Sequence, residues 1–335
     1  MKKLKLFLLS ILLSTQIFAQ SELDELIQKG VELHEAGKYD EAIQQYKKVL
    51  QIDENSSAAM YESSFSYFSK GDYVSSVSFA DQVIKLNQGY IKEAMLIKGS
   101  ALDNQGLSEQ AILVYEAAAE KFPYDHLLFY NLGLTYYGLK KNLKAEDALL
   151  AALELNPDHA SSHLLLAYLK INEGKRIEPI LVLYTFLLLE PDTERAKQAY
   201  KLLVELQKQG VRENNDTKGG IEIELNGDEN EFQTAELMLS LQEASQQIKT
   251  DEKKSEIEYF IQKTEALVIT LDGLKKDKKG VWWEFYGDLL FRIEKAKHLK
   301  AFCYYISWTS PEKEVTEWLE TNQKALEDFG KWLQE

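Results

Sequence analysis

Residues 92–125 read KEAMLIKGSALDNQGLSEQAILVYEAAAEKFPYD, and the spacing within this stretch decides the fold. Gly99 and Ala111 are small, Leu102 and Tyr115 are large, Gly106 interrupts, and Pro123 closes the run. Two amphipathic helices that meet at Gly99 and Ala111 satisfy this order. Small side chains there let the backbones approach, and Leu102 and Tyr115 fill the space around the contact. Gly106 falls where the first helix must end, in a left-handed cap that is unstrained only for glycine. Pro123 stops the second helix or starts the next turn.

The pattern continues on both sides. The unit starting at His126 gives Gly133, Tyr136, Ala145, Leu149, Ala152 and Pro157. The unit starting at Leu23 gives Gly30, Leu33, Gly37, Ala42, Tyr46 and Val49, and the one starting at Ser57 gives Ser64, Tyr67, Gly71, Ala80 and Val83. A degenerate fifth unit from Ala160 keeps Ala167, Gly174, Leu183, Phe186 and Pro191. The step is 34 residues except between the second and third units, where 35 residues place a one-residue insertion within Asn87–Tyr90. One helix pair cannot bury its apolar faces alone, so such pairs stack on one another.

Over about residues 23–193 the chain resembles the tetratricopeptide-repeat family. The resemblance implies an all-α fold, a right-handed helical solenoid of about five helix pairs with a concave groove. It also implies protein or peptide binding, no enzymatic activity and no cofactor. Thr193 to about Lys208 reads as one further helix that caps the array, giving a solenoid domain over residues 20–209. In this family the first helix of each pair lines the groove. Carried onto this chain, the lining comprises Tyr61, Phe65 and Phe68 in the second unit and Tyr130, Leu134 and Tyr137 in the fourth. The fifth supplies Tyr168 with Leu164 and Ile171, the third Asn104 with Leu96, Ser100 and Asp103, and the first Ile27, Val31 and His34. Such a groove is aromatic and apolar. It lacks the Lys, Arg and Asn set with which some members of the family grip a C-terminal carboxylate. It suits an apolar segment, for instance a helix. The same aromatics also suit packing inside the solenoid or against the chain's own C-terminal half.

The 335 residues are 45% hydrophobic and 28% charged, a globular balance that allows more than one domain. The formal charge of −15 disfavours nucleic acid and anionic membrane surfaces, which need basic patches. Residues 1–19 stand apart. Lys2, Lys3 and Lys5 precede an apolar run from Leu6 to Leu13, and the segment ends Ile17-Phe18-Ala19. This is the order of a secretory signal cleaved after Ala19, although Ile17 is larger than the residue usual two places earlier. The apolar run is far shorter than the roughly 20 residues a membrane span requires. The expectation is an exported protein, periplasmic or secreted, with no membrane span after cleavage. Cys303 is the only cysteine, so no internal disulfide and no thiolate-rich zinc site can form. Between Phe302 and Tyr304 it reads as a small buried hydrophobe.

Gly210 to Asn230 breaks the helical pattern and reads as a linker over residues 210–230. Ile221 to Leu225 alternates with period two, a possible strand or part of a hairpin. Residues 231–335 form a helical C-terminal domain that matches no family. Its helices are expected over about 231–249, 251–273, 281–294, 297–309 and 312–332, with Ser310 as N-cap and Pro311 at the first position of the last. All five tryptophans lie here, and Trp282-Trp283-Glu284-Phe285-Tyr286 is the most aromatic stretch. It could be a stacking platform for a sugar, or a bundle core in which neighbouring tryptophans face apart.

Catalytic chemistry is not legible. His159 and His163 could share a helix face as metal ligands do, but no third ligand has a convincing position. No glycine-rich phosphate loop or nucleophile elbow occurs. Lys275 to Lys279 reads as a solvated turn or a local anion site. The leading expectation is therefore an interaction scaffold, with no catalytic and no metal residues. An enzyme, or a carbohydrate-binding protein with its site in the aromatic C-terminal half, is the alternative.

Overall fold

A computed structural model describes residues 21–214, 220–224, 230–248 and 254–335; the expected signal segment, and Leu225 of the expected strand, lie outside them. The chain divides into two compact units, one ending at Asn156 and the other beginning at Pro157.

The first unit is four helix pairs. Helix α1 covers residues 21–35. It is followed by α2 (Tyr39–Ile52), α3 (Ser57–Lys70), α4 (Tyr73–Leu86), α5 (Ile91–Asn104), α6 (Ser108–Lys121), α7 (His126–Gly138) and α8 (Asn142–Leu155). The turns obey local chemistry. Ser56, Asp72 and Asp125 accept from backbone N–H groups at the starts of α3, α4 and α7. Gly71 adopts φ 87° after α3, and Asp72 N–H reaches back to Tyr67 O at 2.9 Å, the six-to-one bond of a Schellman cap.

The contacts within each pair lie where the spacing places them. Gly99 touches the ring of Tyr115, and Gly133 touches Leu149. In the second pair two small residues do the same work: Ser64 Oγ donates to Ser76 O at 2.9 Å, and both serines are buried. Helix α3 packs on α5 and α5 on α7 more extensively than any two second helices pack on one another. The first helices are therefore the inner side of this unit's curve.

The second unit begins with α9 (Ala160–Asn172), α10 (Ile177–Leu189) and α11 (Glu194–Lys208). Thr193 caps α11 by accepting from Ala196 N–H at 3.1 Å, and α11 packs on α10 as the expected extra helix. It is not the last layer. Strands β1 (Val211–Asn214) and β2 (Gly220–Ile223) pair antiparallel with Val211 opposite Ile223, so the expected strand is half of a hairpin. Helix α12 (Gln233–Ile248) packs on α11 and β2, and α13 (Glu256–Lys275) packs on α12. A π-helical turn (Trp282–Gly287) leads into α14 (Asp288–Lys295), and α15 (Leu299–Ile306), α16 (Lys313–Thr321) and α17 (Gln323–Leu333) complete the unit.

Helix α10 is the hub. Every residue from Pro179 to Leu187 is buried, because α9, α11, α15 and the π-helical turn cover it on all sides. Its Tyr184 hydroxyl meets Thr264 of α13 at 2.9 Å and accepts from Gln207 of α11 at 2.7 Å. Lys263 of α13 and Glu243 of α12 form a buried ion pair.

Two local expectations are corrected. The last expected helix is two helices, because Asn322 turns its side-chain amide onto Trp318 O at 3.0 Å and caps α16 instead of continuing it. Ser310 is not the N-cap: α16 starts after Glu312, and Ser310 Oγ accepts from Glu312 N–H at 3.4 Å one turn earlier.

Candidate functional site

On the inner side of the first unit, five rings form a continuous ladder. Tyr90 stacks on Tyr61 with centroids 4.9 Å apart, Tyr61 on Phe65 at 6.4 Å, and Phe65 on His34 at 4.5 Å. His34 ends the row edge-on to Tyr39 at 5.2 Å. Three helices position it. Tyr61 and Phe65 are four apart on α3, one turn above each other, while His34 ends α1 and Tyr39 begins α2. Phe65 is 37% exposed and Tyr90 43%, so the ladder is open to solvent. His34 Nδ1 lies 2.7 Å from Ser66 Oγ, which fixes the imidazole plane against Phe65. Burial lowers the His34 pKa despite the opposing charge of Glu35, so the ring is neutral near pH 7.

The remaining expected lining residues are placed as follows. Phe68 is half-buried and tilted against Tyr73 of α4, 5.5 Å away, off the ladder. Asn104 is exposed at the end of α5, and its amide donates to Ser100 O at 2.8 Å. On α7, Leu134 is 40% exposed, and Tyr130 and Tyr137 are half-buried. Tyr168 is half-buried on α9, in the second unit. Among these candidates the structure thus joins Tyr61 and Phe65 into one ring row.

Comparison with known proteins names the scaffold. A family model described as TPR repeat matches residues 30–71, and one described as Tetratricopeptide repeat matches residues 127–159. The chain carries tetratricopeptide repeats. Repeats of this family are protein-interaction scaffolds. Among solved structures, PilF of Pseudomonas aeruginosa is 20% identical with a TM-score of 0.50, covering 57% of this chain and 85% of its own. PilW, a type IV pilus biogenesis factor, is 14% identical with a TM-score of 0.48, covering 56% and 91%. MamA of Desulfovibrio magneticus RS-1 is 22% identical with a TM-score of 0.45, covering 52% and 97%. No curated protein matches the chain.

Position counting along a tetratricopeptide unit finds Tyr61, Phe65 and His34 but misses Tyr90. That residue belongs to the extra position between the second and third repeats. Asn87, Gly89 and Tyr90 all have positive φ, 54°, 50° and 39°. A tyrosine in this region is strained by about 1–3 kcal/mol, and its stacking on Tyr61 is what the strained turn delivers. The insertion itself was the available signal.

The histidine pair of the fifth tetratricopeptide unit is not arranged as metal ligands. His163 Nε2–H donates to Pro157 O at 2.8 Å, which leaves Nδ1 to accept from the Tyr286 hydroxyl at 2.9 Å. His159 Nδ1 instead lies 2.7 Å from Ser162 Oγ. Burial pulls His163 down to about 4. The unfolded chain therefore takes up a proton near pH 6.5 that the folded chain refuses until about pH 4, so stability falls as pH drops through that window. Between pH 7 and pH 5 the parent should lose about 2 kcal/mol more than a His163→Gln variant, which cannot titrate. Urea midpoints followed by tryptophan fluorescence check this, since every tryptophan is in the second unit.

The aromatic stretch Trp282 to Tyr286 splits as helical geometry requires. Trp283 is buried, stacks on Phe232 at 5.0 Å and donates from its indole N–H to Glu231 at 2.7 Å. Trp282 is half-buried, lies on Tyr286 at 5.5 Å and has the Lys170 ammonium over its ring, 5.6 Å from the centroid. A pocket of about 410 Å³ opens between α13 and α14, lined by Val268, Asp272, Asp288 and Phe291 among others. Asp288 is engaged by Lys275 at 2.8 Å. No described helix is long and apolar enough to cross a membrane.

Proposed function

We propose that this protein is an exported scaffold that holds a segment of another protein on the inner face of its first repeats. The observation that carries this reading is the open ring ladder from Tyr90 through Tyr61 and Phe65 to His34. A buried core does not leave a stacked row with Phe65 and Tyr90 more than a third exposed. Large rings supply contact area at small cost in side-chain entropy, which suits them to anchoring a partner. By repeat position the same side of the first unit also carries Phe68 and Asn104, then Tyr130, Leu134 and Tyr137 on α7, and Tyr168 holds the equivalent position of the fifth repeat within the second unit. Export rests on the basic, apolar and cleavage-like order of residues 1–19. The acidic composition sets nucleic acid aside as a partner. Nothing in the repeats calls for a cofactor or an enzymatic step.

The test is affinity capture from the native periplasm or medium with the chain from Gln20, beside the same chain carrying Tyr61→Ala and Phe65→Ala. A partner held by the first and lost by the second is expected, with affinity lower by about 2–4 kcal/mol and helicity by circular dichroism unchanged. Equal recovery by both would remove the ladder from the function. Loss of helicity in the variant would make the two rings core.

A further inference from the structure

A second candidate site is the cavity between α13 and α14, wholly within the second unit. The two helices pack on each other and run antiparallel. Lys275, at the end of α13, meets Asp288, at the start of α14, at 2.8 Å, and Val268 shares the cavity with Lys295. The volume, about 410 Å³, falls at the small end of the roughly 300–1,000 Å³ of small-molecule sites. The floor is apolar, made by Val268, Ile269 and Phe291. Val268 is buried and Phe291 half-buried, but Ile269 is 58% exposed, an isoleucine that the fold leaves uncovered.

Gly273 keeps the mouth open. It stands one turn beyond Ile269 on α13, and a β-carbon there would meet nothing within 4 Å outside its own helix. Neither close packing nor a positive φ requires glycine at this position. Glycine inside a helix is destabilising relative to alanine, so its presence calls for a reason. Side chains on a helix lean toward its N-terminus, so a larger residue at 273 would lie over Ile269.

The rim is charged but balanced. Asp288 is neutralised by Lys275, whose ammonium also lies 4.9 Å from the centre of the Phe291 ring. Asp272 and Glu294 then stand against Arg292 and Lys295. Among the described residues none of these four is in an ion pair, and Arg292 lies over Trp332, 5.5 Å from the ring centre. Such a rim favours neither a plain anion nor a plain cation. It suits a ligand that carries both charges on an apolar body. With Lys275 and Asp288 level, helical rise puts Asp272 about 4.5 Å and Lys295 about 10 Å from that end, so acid and base stand about 6 Å apart along the cavity. The two charges of a free amino acid sit closer together than this. A dipeptide or tripeptide, at up to about 3.6 Å per residue, spans it.

We propose that this cavity binds a di- or tripeptide with apolar side chains and both ends free, its ammonium at Asp272, its carboxylate at Lys295 and its side chains on Ile269 and Phe291. The opposed charges set the direction of the bound chain, and the apolar floor supplies the contact area. A segment within a protein has no free ends to offer and needs a larger surface than this cavity gives. The site is separate from the ring ladder, so neither reading depends on the other.

Isothermal titration calorimetry of the chain from Gln20 to Glu335 with the dipeptide leucyl-phenylalanine tests this. Saturable binding is expected with a Kd of about 100 μM or below, within reach of a ligand of this size. Acetylating its N-terminus or amidating its C-terminus should each weaken binding about fivefold. On Asp272→Asn the acetylated and free peptides should bind alike, and on Lys295→Gln the amidated and free peptides should. Ile269→Glu and Gly273→Leu, both at exposed positions, should weaken the free dipeptide about tenfold with circular dichroism unchanged. Free phenylalanine should bind at least about tenfold more weakly than the dipeptide. Equal binding by phenylalanine would make this an amino-acid site and overturn the peptide assignment. A doubly blocked peptide that binds the parent as well as the free one would overturn the charge assignment and point to a protein segment. No saturable heat with the parent up to about 5 mM refutes the site.

Discussion

Arg176→Leu is expected to unfold the second unit at far lower denaturant concentration than the parent, a loss of about 4 kcal/mol or more. Arg176 stands one residue before α10 and is 3% exposed. Its guanidinium reaches Leu206 O at 3.0 Å and Gln207 O at 3.4 Å near the end of α11, and Glu236 O at 3.1 Å and Ser240 Oγ at 2.8 Å on α12. One planar group thus joins the start of α10 to the end of α11 and the middle of α12. Leu206 and Gln207 are among the last carbonyls of α11, which have no partner within the helix. Burial lowers the Arg176 pKa to about 10 while Glu236 and Glu243 oppose it, so the group stays cationic at neutral pH.

Leucine fills part of the volume and meets none of these acceptors. Each buried carbonyl left unmet costs about 1–3 kcal/mol, and Glu236 and Glu243 lose a nearby positive charge. Arg176→Lys should recover only part of the loss, since an ammonium cannot span two helices as the guanidinium fork does. Tryptophan fluorescence isolates the event, because the first unit has no tryptophan. An unchanged fluorescence midpoint in urea would show that Arg176 does not hold these elements together.

Why Arg176 escaped the sequence while Gly99 did not is a matter of distance along the chain. The contact between Gly99 and Tyr115 recurs at a fixed offset in several repeats, and a period can be counted. Arg176 bonds partners 30 to 64 residues away, once each. His163 and Tyr286 are 123 residues apart. The same reason explains α10. Its sequence is apolar all round, more than the second helix of a repeat needs, but the residues beyond Gly280 that cover the extra face lie too far along the chain for a period to reveal. The hairpin was legible from the alternation at Ile221, and the break at Asn322 was not, because a side-chain cap on α16 leaves the helical period almost intact. On the interaction face, Tyr61 and Phe65 follow from repeat position, whereas Tyr90 follows only from the residue that breaks the period.

Gly99→Ala should destabilise the first unit by about 3 kcal/mol, although alanine is the better helix former by about 1 kcal/mol. A β-carbon at Gly99 would overlap the Tyr115 ring, and that ring cannot retreat. It is 1% exposed, and its hydroxyl is tied to Ser100. Gly133 offers the contrast. There the same β-carbon would stand 2.9 Å from Cγ and 3.1 Å from Cδ2 of Leu149, a smaller overlap than with the Tyr115 ring, though Leu149 is as deeply buried. Gly133→Ala should therefore cost less than Gly99→Ala, about 1–2 kcal/mol, whereas Gly133→Leu should unfold the unit. Thermal melts by circular dichroism rank the variants. The ring explanation makes one further demand. Replacing Tyr115 by Leu gives the third repeat the pairing that the fourth already uses, so Gly99→Ala with Tyr115→Leu should be more stable than the sum of the two single losses predicts. Simple additivity would mean that the glycine answers to the backbone of α5 and not to the ring packed on it.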